Sequence, residues 1–107
     1  MVEYNISLDS VFNSLADPTR RDIVRRVSIN ELSVSEIATA YDMTIAAISK
    51  HLKILENARL IVKRRLGKQQ LVRADGEGLQ AAASYLETYE RLWNDRFDRL
   101  DIFLTEE

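Results

Sequence analysis

The segment Thr44-Ile-Ala-Ala-Ile-Ser-Lys-His-Leu-Lys-Ile-Leu-Glu-Asn57 has two faces with opposite requirements. At 3.6 residues per turn, Ile48, Leu52 and Leu55 fall within one narrow arc that must lie against other apolar groups. Ala46, Lys50 and Lys53 fall on the opposite side, with Ser49 at the flank. That outer face is small, polar and basic, the chemistry that suits base-pair edges in a major groove. A shorter helix precedes it. Ser33-Val-Ser-Glu36 fits a capping box, in which Ser33 and Glu36 satisfy each other's orphan amides. This helix ends near Tyr41, Asp42-Met43 form a tight turn, and Thr44 caps the second helix. The spacing predicts a helix-turn-helix over about 33–57, the second helix being the reading element.

The flanking segments give this pair a setting. Leu8 to Leu15 read as a short first helix, extending to about 16, with Val11, Phe12 and Leu15 on one face. Asp17 is a good N-cap and Pro18 suits a first helical position, so a second helix starts there. Its stripe is Ile23, Val24 and Val27. Between about 60 and 74, Ile61, Val62, Leu66, Leu71 and Val72 are β-prone and flank Gly67-Lys-Gln-Gln70, which predicts a hairpin. Lys63, Arg64, Arg65, Lys68 and Arg73 decorate it as a basic wing. A long helix follows over about 78–104, roughly 39 Å at standard rise. Leu79, Leu86, Trp93 and Leu100 recur every seventh residue, and Ala82, Tyr89, Phe97 and Leu104 widen the stripe. A helix of that length is hard to bury within so short a chain. The same helix of a second copy is the simplest cover for its stripe. The fold class is mainly α with a small β-hairpin, a winged helix-turn-helix domain over 1–107, expected as a homodimer.

Composition narrows the chemistry. The 107 residues include no cysteine and one histidine, His51, which removes disulfides, thiolate metal sites and an evident nucleophile–base pair. No enzymatic activity is expected. No apolar run approaches the roughly 18 residues that span a bilayer, and no signal peptide is evident, so the expectation is a cytoplasmic protein without a membrane partner. The net charge of −2 conceals segregation. Twelve Lys/Arg stand against five Asp/Glu from Pro18 to Arg73, a net of +7, and three against twelve elsewhere, a net of −9. A basic middle between acidic ends suits an anionic polymer on one surface.

Leu15-Ala-Asp-Pro-Thr-Arg-Arg21, Glu31-Leu-Ser-Val-Ser-Glu-Ile37, Ile48-Ser-Lys-His-Leu-Lys-Ile-Leu55 and the basic hairpin resemble the ArsR/SmtB family of winged-helix repressors, from about Val11 to Leu104. The resemblance implies a homodimer held by its first and last helices. It also implies two recognition helices on a partly palindromic operator of double-stranded DNA, and repression lifted by an effector. Metal-sensing members often carry Cys-x-Cys where this chain has Ser33 and Ser35, and soft metals select soft ligands. Other members bind zinc through Asp and His on the last helix, where this chain has Glu87, Glu90, Asp95 and Asp98 but no His. No metal and no cofactor are therefore expected. Most members also have Gly where this chain has Arg59. Gly adopts a left-handed C-cap cheaply, so either Asn57 takes that role here or the helix ends differently.

The expected DNA contacts are Thr44, Ala46, Ser49, Lys50 and Lys53 on the reading helix, and Arg64, Arg65, Lys68 and Gln69 in the wing. Lys50 can donate to guanine O6 or N7, and Ala46 can touch a thymine methyl. Arg64 and Arg65 point to opposite strand faces, so they do not share one role. Arg20 and Arg21 either touch phosphate or pair with acidic groups inside the subunit. His51, at the border of the buried stripe, reads as a partly buried structural residue. The expected dimer face comprises Val11, Phe12, Leu79, Leu86, Tyr89, Trp93, Phe97, Leu100 and Leu104. The aromatic set Tyr85, Tyr89, Trp93 and Phe97 reads as packing, with a pocket for an unknown small-molecule effector as the alternative. The rival function is a winged-helix module for protein contacts without sequence-specific DNA binding.

Overall fold

A computed structural model describes residues 6–105, with side chains described as far as Arg99. The order is α1 (Leu8–Ser14), α2 (Pro18–Ile29), β1 (Leu32–Ser33), α3 (Val34–Tyr41), α4 (Ile45–Asn57), β2 (Ile61–Leu66), β3 (Gln69–Ala74) and α5 (Gly76–Thr105). Local chemistry explains most of the helix starts. The Ser7 hydroxyl accepts from the Ser10 N–H, and the Asp17 carboxylate accepts from the Arg20 N–H with Pro18 beside it. Ser33 and Glu36 complete the capping box at 3.1 and 2.7 Å. The Thr44 hydroxyl accepts from the Ala47 N–H at 3.1 Å. Each such cap stabilises its helix by about 1 kcal/mol.

The core lies where α2, α3, α4 and the sheet meet. Ile23, Ile37, Ile48, Leu52, Leu55, Leu60, Ile61 and Val72 are its largest fully enclosed apolar side chains besides Val11. Burial of each such side chain contributes about 1.5–3 kcal/mol. Val11 joins them from α1 and Ala82 from α5. The stripe of α4 thus faces inward as its spacing requires, which leaves the basic face outside.

Three features depart from expectation. The sheet has three strands in the order β1-β3-β2, because Leu32 and Ser33 pair antiparallel with Val72 and Leu71. The hairpin loop is two residues, Gly67 and Lys68, since Leu66 already pairs with Gln69. Gly67 has φ +62°, and a positive φ at the first central residue alone is the pattern of a type II′ hairpin turn. The third departure is Arg59, which itself takes the left-handed conformation at φ +62°. The Leu60 N–H reaches the Leu55 carbonyl and the Arg59 N–H the Glu56 carbonyl, both at 3.0 Å. That is a Schellman motif, with apolar Leu60 packed beside Leu55. Burial of Leu60 on the core explains why the chain turns here despite the cost of a side chain at positive φ.

The radius of gyration is 18.4 Å, against about 13 Å for a compact chain of this length. The excess comes from α5, 30 residues long. It starts at Gly76, earlier than its apolar stripe suggests, because the Asp75 carboxylate accepts from the Glu77 N–H at 3.0 Å. No helix among the described residues is long and apolar enough to cross a membrane.

Candidate nucleic-acid interface

Helix α4 is placed by contacts on three sides. Its apolar stripe is buried, α3 packs beside it through a turn in which Asp42 adopts φ +53°, and Lys63 of β2 pairs with Glu56 at 3.3 Å. Asp tolerates the left-handed region better than most residues, which is why it fits that turn. Helix α3 is itself tied to α2. The Tyr41 hydroxyl donates to the Asp22 carboxylate, which also accepts from Arg25 at 2.7 Å and Arg26 at 3.0 Å. Arg26 lies over the Tyr41 ring, 5.2 Å from its centroid. The Tyr41 hydroxyl chiefly, then the two guanidiniums, hold the Asp22 carboxyl well below the usual carboxylate range. Burial and then the Asp22 partner push the Tyr41 phenol up. This cluster orients α3, the first helix of the pair, and neither its members nor their grouping was anticipated from sequence.

The outer face of α4 presents Thr44, Ala46, Ser49, Lys50 and Lys53, all exposed. The Thr44 hydroxyl is occupied by its cap. Among the described residues no ion pair engages Lys50 or Lys53, nor Arg65 or Lys68 in the wing. A cationic surface without ion-pair partners among the described residues is available for phosphate and base acceptors.

In the wing, Arg65 pairs in register with Gln70 and shares a sheet face with Lys63, the face turned to α4. Arg64 is on the other face and is engaged within the chain: it grips both Glu31 oxygens at 2.8 Å. Arg64, and to a smaller degree Arg73, lower the Glu31 carboxyl. Lys68 and Gln69 stand exposed at the hairpin tip. Arg20 and Arg21 are engaged inside the subunit too, with backbone carbonyls rather than acidic groups. Arg20 donates to the Ser14 carbonyl at 2.8 Å and the Asn13 carbonyl at 3.3 Å, and Arg21 to the Leu15 carbonyl at 2.7 Å. Both guanidiniums thus stand at the C-terminal end of α1, where a helix favours positive charge. Half-buried His51 places Nδ1 3.5 Å from Arg20.

Helices α1 and α5 expose large apolar side chains. Val11 is buried, whereas Phe12, Leu79, Leu86, Tyr89, Trp93 and Phe97 are exposed, and so is Leu92, which the heptad count omitted. Phe12 of α1 meets Tyr85 of α5 at 6.0 Å between ring centroids, and Tyr85 meets Tyr89 at 5.2 Å. The Tyr85 and Tyr89 hydroxyls are 3.2 Å apart. The side chains of Leu100 and Leu104 lie outside the described residues.

Comparison with known proteins agrees with this geometry. The family described as bacterial regulatory protein, arsR family, matches residues 17–63. The HTH-type transcriptional regulator Rv2034 of Mycobacterium tuberculosis is 38% identical over 87 residues, 81% of this chain and 78% of that protein. An ArsR-like transcriptional regulator from Rhodococcus sp. RHA1 superposes with a TM-score of 0.76 at 30% identity, covering 94% of this chain and 92% of that one. A homodimeric winged helix-turn-helix DNA-binding domain from Mycobacterium bovis, a possible ArsR-family regulator, gives 0.64 at 27% identity over 78% of each chain. With identity of this order spread over most of both chains, the chain belongs to the ArsR family of bacterial transcriptional regulators.

Proposed function

We propose that two copies of this chain associate through α1 and α5 and present paired α4 helices and wings to consecutive major grooves of double-stranded DNA, repressing transcription from a partly palindromic operator. The observation that carries this reading is a division of surface. The α4 face and the wing supply Lys50, Lys53, Arg65 and Lys68, whereas Phe12, Tyr89, Trp93 and Phe97 are exposed on α1 and α5. A series of large apolar side chains exposed along one pair of helices is the kind of surface that marks association. Ser49 and Lys50 read bases, Ala46 adds apolar contact, and Lys53, Arg65, Lys68 and Gln69 fix register on the backbone. Such a regulator works in the cytoplasm and is not an enzyme. It is not a thiolate metal sensor either, because the Ser33 hydroxyl at the first thiolate position is committed to the Glu36 amide.

Gel-shift titration over fragments of the host genome tests this. A discrete set of fragments should bind, with affinity falling steeply as salt rises, because phosphate contacts release counterions. Equal binding to all fragments, or none in dilute buffer, overturns the proposal. The genes beside the selected fragments would identify the class of any small-molecule effector.

A further inference from the structure

The start of α5 is seated directly on the end of α4. A Cβ at Gly78 would lie 2.7 Å from the carbonyl oxygens of both Ala58 and Arg59 and 3.0 Å from the Arg59 carbonyl carbon. These are backbone atoms at the close of the reading helix, and they cannot swing aside as a side-chain tip can. The Gly78 N–H donates to that same Arg59 carbonyl at 2.8 Å, and the Asp75 N–H to the Leu60 carbonyl at 3.0 Å. Arg59 also pairs with Glu77 at 2.9 Å. The carbonyl that receives Gly78 is aimed by the left-handed turn at Arg59.

We propose that Gly78 and the Arg59 turn form a stiff joint that sets the separation of the two reading helices, and hence the operator half-site spacing that the dimer accepts. The inference rests on the dimeric DNA-binding reading above. In that reading the dimer face is carried mainly by α5, with Phe12 of α1 beside Tyr85, and the reading face by α4, so the angle between α5 and α4 helps to set where each α4 stands relative to the two-fold axis. The lever is long. Trp93 lies fifteen residues beyond Gly78, about 22 Å along the helix. Relaxing 2.7 Å contacts to the ordinary 3.4 Å over one helical turn tilts α5 by roughly 7° and shifts the Trp93 region by about 3 Å. That is close to the rise of one base pair, about 3.4 Å.

The absence of cysteine permits a clean measurement on the full chain. A Lys53→Cys spin label on each α4 reports the distance between reading helices in the dimer without DNA. Gly78→Ala, which tilts α5 in both protomers, should shift that distance by about 3–6 Å while the protein stays dimeric. In operators whose central spacer varies by one base pair, it should move the preferred spacer and weaken binding to the parent spacer about tenfold. An unchanged label distance and spacer preference overturn the proposal. Should Gly78→Ala fail to fold, the parent decides: a stiff joint gives one narrow label distance and about tenfold rejection of neighbouring spacers. A broad distance distribution with equal binding to three spacers overturns it. A parent that dimerises yet binds no duplex removes the DNA-binding reading instead, and the label distances still judge the joint.

Discussion

Arg64 closes both donor nitrogens on the Glu31 carboxylate at 2.8 Å each, joining β2 to the residue before β1. Neighbouring Arg65 has no such partner among the described residues and shares the sheet face of Lys63. Two adjacent arginines of equal charge therefore have different work. Arg65→Ala should reduce the slope of log affinity against log salt by about one, as expected for one lost phosphate contact. Arg64→Ala should leave that slope at the parent value. Gel shifts at four or five salt concentrations measure both slopes, and equal losses would show that Arg64 leaves Glu31 on binding.

Lys50 stands outward near the N-terminal half of α4, with Ser49 beside it. Lys50→Ala should relax base preference and cost on the order of 1–3 kcal/mol at the preferred site if the contact is to guanine. Affinity for unrelated duplex should change far less. Selection of bound sequences with each protein checks this, and an identical consensus with unchanged affinity takes Lys50 off the reading surface.

Tyr41 and Asp22 make a pH prediction with a definite sign. The Asp22 carboxyl is held below its ordinary 3.8, first by the Tyr41 hydroxyl. A depressed carboxylate contributes stability that is present above its unfolded value and lost as pH falls through its folded value. Tyr41→Phe removes the largest cause. The stability gap between parent and variant should thus be widest near neutrality and close as pH falls below about 4. Denaturant melts followed by circular dichroism across that range measure the gap, and a constant gap would show that the hydroxyl acts independently of the Asp22 charge.

What the sequence discloses and what it hides divide by range. Asp17, Ser33 with Glu36, and Thr44 act within three residues of themselves, so their spacing suffices to place helix starts. The apolar arc of α4 is likewise local and fixes which face is free. Strand β1 is two residues long and exists because Val72 and Leu71, far along the chain, receive it. Arg64 and Glu31 are 33 residues apart, and Arg20 finds carbonyls through the α1–α2 corner. Arg59 misleads for another reason: a sound local rule assigns left-handed backbone to Gly or Asn, and tertiary burial of Leu60 overrides it.

Trp93 is 54% exposed in the isolated chain and lies beside Phe97, ring centroids 5.9 Å apart. Trp93→Glu should place a charge in the proposed seam without an opposing partner, which is strongly unfavourable once desolvated. The expected result in sedimentation equilibrium is a monomer at micromolar concentration with parent-like helicity, and operator affinity falls with the loss of the second reading helix. An intact dimer would move the interface away from this part of α5.

Arg59 offers the opposite kind of change. Its φ of +62° costs a residue with a Cβ about 1–2 kcal/mol, whereas glycine adopts it freely. Glycine in turn loses more conformational freedom on folding, about 0.5–1 kcal/mol. The balance for Arg59→Gly is a gain of about 0–1.5 kcal/mol. The exposed pair with Glu77 subtracts little, since both side chains are about half exposed and screened. The hydrogen bonds that aim the Arg59 carbonyl at Gly78 come from the backbone and survive the substitution. The expected outcome is a higher midpoint in thermal melts with operator spacing preserved. A lower midpoint would mean that the Arg59 side chain holds the start of α5 more firmly than its backbone does, and the source of stiffness in the joint would shift to the ion pair.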